Sequence, residues 1–484
     1  MCVVRRLRLV NVQALLPCLP RTSEPMMTPL LLTLCVLAVI SFLLTPRQRT
    51  VEGFYAGQSA DGSAPSMVTL VFSQVTTWIF ARSLLTAAIL GFYYGIGGAL
   101  AYTAYYLSFF TGAVIVDQIR FRHGFNSVQA FLADRFGAPG TTAYNLVVAL
   151  RLLSEVFANL IVIGTLFGAE GSSVYLLAAS AAAVFTLGYS MLGGLQSSLR
   201  TDVFQMSVFL VMLAVLVFAL VGAPGWSISL IGETARPISD PGWVLLMVAM
   251  LQVISYPMHD PVMMDRGFLA DRKTTWKSFL HAGWLSMSCI FLFALLGVYA
   301  GTQAGQGEPM MAVLSRTLGD TTMLILNLAL IVSAVSTLDS TLSSASKLAI
   351  KDMGLAAPTL FNGRIAMLVF MISGLLFLLL DTKELYAAVA ISGTASMFLT
   401  PVIMFCIIGG RRVSLWAFHV AFAAAMSGAV LYYLETSNLG FMTQAFGIEH
   451  KYTKLLVICV AVLSLGNGAF ALALKPKGSV FQTG

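Results

Sequence analysis

The chain has 484 residues, 58% of them hydrophobic and only 10% charged. That composition exceeds what a soluble core needs, and the apolar residues gather in runs of about 20, the length that crosses a bilayer as a helix. The net charge of +7 therefore reads as cytoplasmic-loop bias, with no nucleic-acid partner implied, and the short alternating strands of a membrane barrel are not seen. Cys2, Cys18, Cys35, Cys289, Cys406 and Cys459 are scattered, which implies neither a disulfide framework nor a metal cluster.

Residues 1–25 carry Arg5, Arg6, Arg8 and Arg21 around a short apolar stretch. The signal-peptide cleavage pattern is poor, and Met26 or Met27 is the expected true start. Thirteen apolar spans follow, near 28–45, 66–93, 96–118, 141–168, 172–191, 202–222, 242–263, 278–300, 321–350, 365–381, 385–409, 415–434 and 453–474. If the 47–65 loop is cytoplasmic, seventeen basic residues between Arg47 and Lys477 lie inside, Arg266 and Lys347 among them. Only Arg236, Arg316, Lys383, Lys451 and Lys454 lie outside, which places the first span's start outside and the C-terminus in the cytoplasm. The inside segment FNSVQAFLADRFG is expected to form a short surface helix. No stretch between spans is long enough for a soluble domain. No P-loop, HExxH or dinucleotide fingerprint occurs, and no nucleophile–base pair presents itself, so the chain is not expected to be an enzyme.

Charge at membrane depth marks function by default. Arg82 lies in the second span and Asp260 in the seventh, between Pro257 and Pro261; Asp202 begins the sixth and Asp339 lies in the ninth. Arg151 and Glu155, one turn apart in the fourth span, are expected to pair with each other. The prolines free backbone carbonyls that must line a cavity or meet protein, as in the broken helices of secondary transporters; an ordinary proline kink is the alternative. In the ninth span Ser333, Ser336, Thr337, Ser340, Ser344 and Lys347 share one helical face. Single hydroxyls there usually bond back one turn or join helices. A whole stripe flanked by Asp339 marks a pathway or a site for a small hard cation, which prefers oxygen ligands.

Four stretches, in order, resemble the sodium:solute symporter family, which includes sodium/proline, sodium/pantothenate and sodium/galactose carriers. They are FYAGQS (Phe54–Ser59), the FNSVQAFLADRFG loop, GGLQSSLRTDVFQ (Gly193–Gln205) and STLDSTLSSASKLAIKD (Ser336–Asp352). The resemblance covers about residues 50–412 and implies an all-α polytopic membrane protein of about 13 transmembrane helices. The fold implied is the LeuT-type five-plus-five inverted repeat: 66–222 as the first repeat, 242–412 as the second, 26–65 before them and 413–484 after them. Spans 2 and 7 would be the broken helices, although span 2 has neither proline nor glycine between Phe72 and Leu90 to cue its break.

The resemblance also implies a sodium site. Its ligands would be the backbone oxygens of Thr76, Ile79 and Ser333 and the side-chain oxygens of Ser336 and Thr337. Asp202 would sit on the sodium exit path, or simply cap the sixth span. Around the substrate it implies Ser83, Tyr102, Tyr105 and Tyr256, the last as an aromatic gate. Val253 and Gly393 replace a sugar carrier's polar contacts, and Trp78 replaces a proline carrier's acidic residue, so neither substrate transfers. Arg82 suggests a carboxylate-bearing solute, with Asp260 or Glu155 as its alternative partner. The expected function is a sodium-coupled symporter importing a small organic solute, an amino acid or other carboxylate, in the cell (inner) membrane. Na+ is the coupling ion, the lipid bilayer the surroundings, and no obligatory protein partner is evident. The alternatives are proton coupling through Asp202 or Asp339, and a transport-dead sensor with a separate signalling partner.

Overall fold

The computed structural model describes residues 24–59, 61–379, 392–437 and 440–475. The expectations for residues 1–23, for Lys383 and Lys477, and for the start of the eleventh span lie outside the described residues. Among the described residues the regular elements are helices, apart from one isolated bridge between Val413 and Leu474.

Among the described residues ten helices are long and apolar enough to cross a membrane. Three local features reconcile that number with the thirteen apolar stretches. Span 2 is divided into α3 (Met67–Trp78) and the start of α4 (Ala81–Ala104). Gly95, with φ 58° and ψ −143°, then turns the backbone, and the remainder of α4 leads through α5 (Ser108–Val116) as span 3. Span 7 is cut twice, into α10 (Pro241–Gln252), α11 (Tyr256–His259) and α12 (Pro261–Arg266). Span 11 is described only over Ser392–Ile408, which is short for a crossing.

The other spans are α1 (Glu24–Leu44), α6 (Val128–Phe167), α7 (Ser173–Gly193), α8 (Leu195–Val221), α13 (Arg272–Gln303), α14 (Met310–Lys347) and α15 (Leu360–Leu379). With Ser392–Ile408 as α16, the last two are α17 (Leu415–Thr436) and α19 (Lys451–Leu472), joined through α18 (Phe441–Phe446). Their starts follow side-chain chemistry. Ser66, Ser172, Asp240 and Asp271 each accept a first-turn amide of the helix that follows, satisfying donors that water would otherwise have to meet. The surface helix expected from FNSVQAFLADRFG is the first part of α6: Ser127 caps it, Phe131, Leu132 and Phe136 are buried, and Gly137 (φ 67°) separates it from the spanning part.

In lipid, helices associate through packing and polar contacts more than through the hydrophobic effect. The polar side chains sort accordingly. On α8, Val211, Val215 and Phe218 are exposed on the outer face, while Ser198, Asp202, Gln205 and Phe209 are buried. Ser333 to Ser346 of α14 is buried throughout, and that helix packs on α3, α6 and α8. The hydroxyl stripe therefore lies at the centre of the bundle.

Candidate functional site

The break in span 2 falls at Ile79 and Phe80, where φ/ψ leave the helical region (−86°, 63° and −78°, 157°). A continuous helix would have supplied amides to the carbonyls of Thr76 and Ile79. Here Ser83 N–H instead reaches back to Phe80 O at 2.8 Å. The Trp78 carbonyl is taken by the Tyr106 hydroxyl at 2.9 Å. No proline or glycine makes this break. It is held from outside, by Tyr106 and by the Ser333 hydroxyl, which donates to the Ile79 carbonyl.

That last contact joins two segments 254 residues apart. One turn along α14, Thr337 Oγ1 donates to Ser333 O at 3.0 Å and Ser336 Oγ to Asp202 Oδ1 at 2.9 Å. The carbonyls of Ile79 and Ser333 and the hydroxyls of Ser336 and Thr337 are thus gathered where α3 ends against α14, with Thr76, also buried, one turn before Ile79. All the donors are hard oxygens, which suits an alkali cation. Among the described residues no group of three or more His, Cys, Asp or Glu could hold a metal.

Asp202 does not cap its helix. Helix α8 begins at Leu195 after Gly194, so Asp202 is two turns inside and fully buried. Its carboxylate accepts from Ser73 (2.6 Å), Ser336 (2.9 Å) and Ser198 (3.2 Å). Arg266 lies 3.7 Å from it, itself fully buried and donating to Ser73, Ser198 and Ser340, each at 3.1 Å. The expectation that Arg266 is a loop charge is therefore corrected, since α12 continues to Arg266 as a buried side chain; Lys347, at the end of the hydroxyl stripe, pairs with Asp265 (2.6 Å) and Asp352 (3.3 Å). Asp339 accepts from Tyr189 (2.9 Å) and Thr201 (2.7 Å).

Beside the two breaks lies an aromatic and ionic chamber. Trp78 meets Tyr106, Phe109 and Tyr256 at centroid distances of 5.5, 5.1 and 5.6 Å. Tyr105 meets Tyr256 at 6.0 Å and Tyr102 at 5.9 Å, and Tyr102 donates to Ser83 at 3.0 Å. Ser83, Tyr102, Tyr105 and Tyr256 thus stand together. Arg82 is part-buried next to Ser83, within electrostatic range of Tyr102 and Glu155. Asp260 caps α12 by accepting from Met263 N–H at 3.0 Å. The arginine it meets is Arg151, at 3.5 Å, and Arg151 also pairs with Glu155. The i, i+4 pair forms as expected, but it reaches a third charge in another helix, which spacing could not reveal.

Gln252 was not expected. A Cβ on Gly393 would come within 2.5 Å of Gln252 Oε1, so the glycine leaves room for the amide, which accepts from Tyr105 at 2.8 Å. Gln252 Nε2 donates to Thr394 Oγ1 at 3.4 Å, so a polar amide stands beside Val253 and Gly393.

The architecture has known counterparts. It superposes on a Na+-coupled sialic acid symporter in its substrate-bound, outward-open state, with a TM-score of 0.67 and 14% identity over 94% of this chain and 99% of that one. It also matches Mhp1, a nucleobase-cation-symport-1 family transporter in a closed conformation with bromovinylhydantoin bound, with a TM-score of 0.54 and 15% identity over 89% of this chain and 94% of that one. The protein has the LeuT-type fold. No protein-family model and no curated protein sequence matches the chain. The interruptions of α3–α4 and α10–α12 face the hydroxyl stripe or the chamber beside it.

Proposed function

We infer that the protein is a sodium-coupled secondary importer of a small organic solute, of the sodium:solute symporter kind. One observation carries the reading: the Ser333 hydroxyl meets the Ile79 carbonyl, so the broken end of α3 and the hydroxyl face of α14 share one oxygen-lined junction. The proposed sodium ligands are the carbonyls of Thr76, Ile79 and Ser333 and the hydroxyls of Ser336 and Thr337. Those two hydroxyls would turn from their present acceptors, Asp202 and Ser333 O, to offer lone pairs to the ion. Asp202 then lies one hydroxyl away, as the next acceptor on an inward path. The fold neighbours support the reading, since the sialic acid symporter is Na+-coupled.

Each inward sodium would bring about 2.3 kcal/mol per 100 mV of membrane potential. Coupling follows if sodium binds the solute-competent state better than the other, since a ligand shifts an equilibrium only by its differential affinity. The proposed organisation keeps 66–222 and 242–412 as the two repeats, in a cell membrane, with the C-terminus cytoplasmic. The proposed solute is an amino acid or another carboxylate, in the chamber of Arg82, Ser83, Tyr102, Tyr105, Tyr256 and Asp260. The test is uptake into proteoliposomes with and without a sodium gradient. Ser336→Ala and Thr337→Ala should each raise the sodium concentration for half-maximal uptake roughly tenfold, the loss of one bond to a charge. Unchanged sodium dependence would remove these ligands.

A second reading is proton coupling. Ser340 touches both Asp202 (3.4 Å) and Asp339 (3.2 Å), and among the described residues Arg266 is the guanidinium facing the pair. Two carboxylates sharing one cation favour one of them holding a proton. Uptake driven by a pH gradient in sodium-free buffer would select this reading.

A further inference from the structure

Arg151 is buried, 6% exposed, in α6. Buried ion pairs are often no more stabilising than apolar side chains of the same size. A charged cluster kept at membrane depth points to a pathway or a ligand. The cluster is also under-used. A single nitrogen, Nη2, serves both Glu155 and Asp260, the latter at a loose 3.5 Å, while Nε is buried with no partner among the described residues. Guanidinium binds carboxylate best along an edge, with two parallel bonds. The Nε–Nη2 edge is only half spent here, its Nε unbonded, with the guanidinium 6.0 Å from the ring centres of Phe80 and Tyr256 at the two broken helices.

We propose that Arg151 takes the solute carboxylate in a bidentate pair, in exchange for Asp260, and that Asp260 with Glu155 then takes a cationic ammonium group of the same solute. The solute class is therefore a zwitterionic amino acid. Charge balance selects it. Arg151, Glu155, Asp260 and the neighbouring Arg82 sum to zero, so a simple carboxylate would leave an uncompensated negative charge at low dielectric, whereas a zwitterion leaves none. The exchange also releases α12 from α6, since Asp260 is the N-cap of α12. Loading would thereby loosen the half-helix that carries Arg266 toward Asp202. The assignment deepens the importer reading and rests on the same chamber, but it does not depend on which ion is coupled.

The test uses the full chain in proteoliposomes, with radiolabelled L-amino acids as probes and the matching amino-acid amides and deaminated monocarboxylates as competitors. For the wild type, amides and monocarboxylates should each compete roughly 10- to 100-fold less well than the amino acid. Arg151→Gln should abolish the preference for acid over amide. Asp260→Asn should abolish the preference for amino acid over monocarboxylate. If Arg151→Gln does not fold, Arg151→Gln with Asp260→Asn removes both charges together and should lose both preferences. A purely structural pair would lower protein yield and melting temperature while leaving the ratios unchanged, and that result overturns the proposal. So would sodium-driven uptake confined to uncharged solutes, with sodium coupling left standing. Amino-acid uptake with both ratios intact but no sodium dependence would overturn the coupling and leave Arg151 in place.

Discussion

Ser73, Ser198 and Ser340 each touch both Asp202 and Arg266, so one pair of opposite charges is wrapped in hydroxyls from three helices. Removing one charge from such a pair leaves the other buried and uncompensated. Asp202→Ala should therefore lower stability by about 3–5 kcal/mol, read from denaturant or thermal unfolding in detergent. Asp202→Ala combined with Arg266→Met should recover most of that loss, because neither charge of the pair is then left without the other. A double variant no more stable than the single one would mean that the hydroxyl network, not the charge balance, holds these helices together.

Among the elements, the two interruptions are made differently. Span 7 breaks at Asp260 (φ −108°, ψ 98°) with Pro261 opening the next helix and the Asp260 carboxylate capping it; the prolines cue the disturbance in sequence, while the cap is seen only in the fold. Span 2 breaks at Ile79 without any such residue, held by Tyr106 and Ser333. The turn that ends span 2 is made by Gly95, whose φ of 58° and ψ of −143° fall near a region open almost only to glycine. A Cβ there would also come within 2.5 Å of Thr234 O. Gly95→Ala should cost about 1–3 kcal/mol. Gly468→Ala, in α19 where a Cβ meets nothing within 4 Å, should be neutral or stabilising by up to about 1 kcal/mol. Equal melting temperatures for the two variants would show that Gly95 is not a required turn.

At the scale of the whole molecule, a proposed ion site made of two segments 254 residues apart has a thermodynamic consequence. Sodium bound there links the halves of the bundle and is lost when they separate. Sodium at about 100 times its dissociation constant should raise stability by about 2.7 kcal/mol, visible as a higher melting temperature. Potassium or choline at equal ionic strength should not. Ser336→Ala should weaken this stabilisation in step with its effect on uptake, and a melting temperature indifferent to sodium would sink the site.

The sequence by itself determined the membrane-spanning class, nearly every helix, a disturbance of span 7 at its prolines and the hydroxyl face of α14. All of these depend on residues within a few positions of one another: apolar run length, helical periodicity, an imino acid. It did not determine the break at Ile79, the reach of Arg151 to Asp260, the burial of Arg266 against Asp202, or the entry of Gln252 beside Gly393. Each of those is a contact between distant segments. Arg266 read as a loop charge because the hydropathy that surrounds it comes from other helices. Only the packed bundle decides which hydroxyl meets which carbonyl, because at membrane depth a polar group has no water to fall back on and must find its partner wherever the fold has put one.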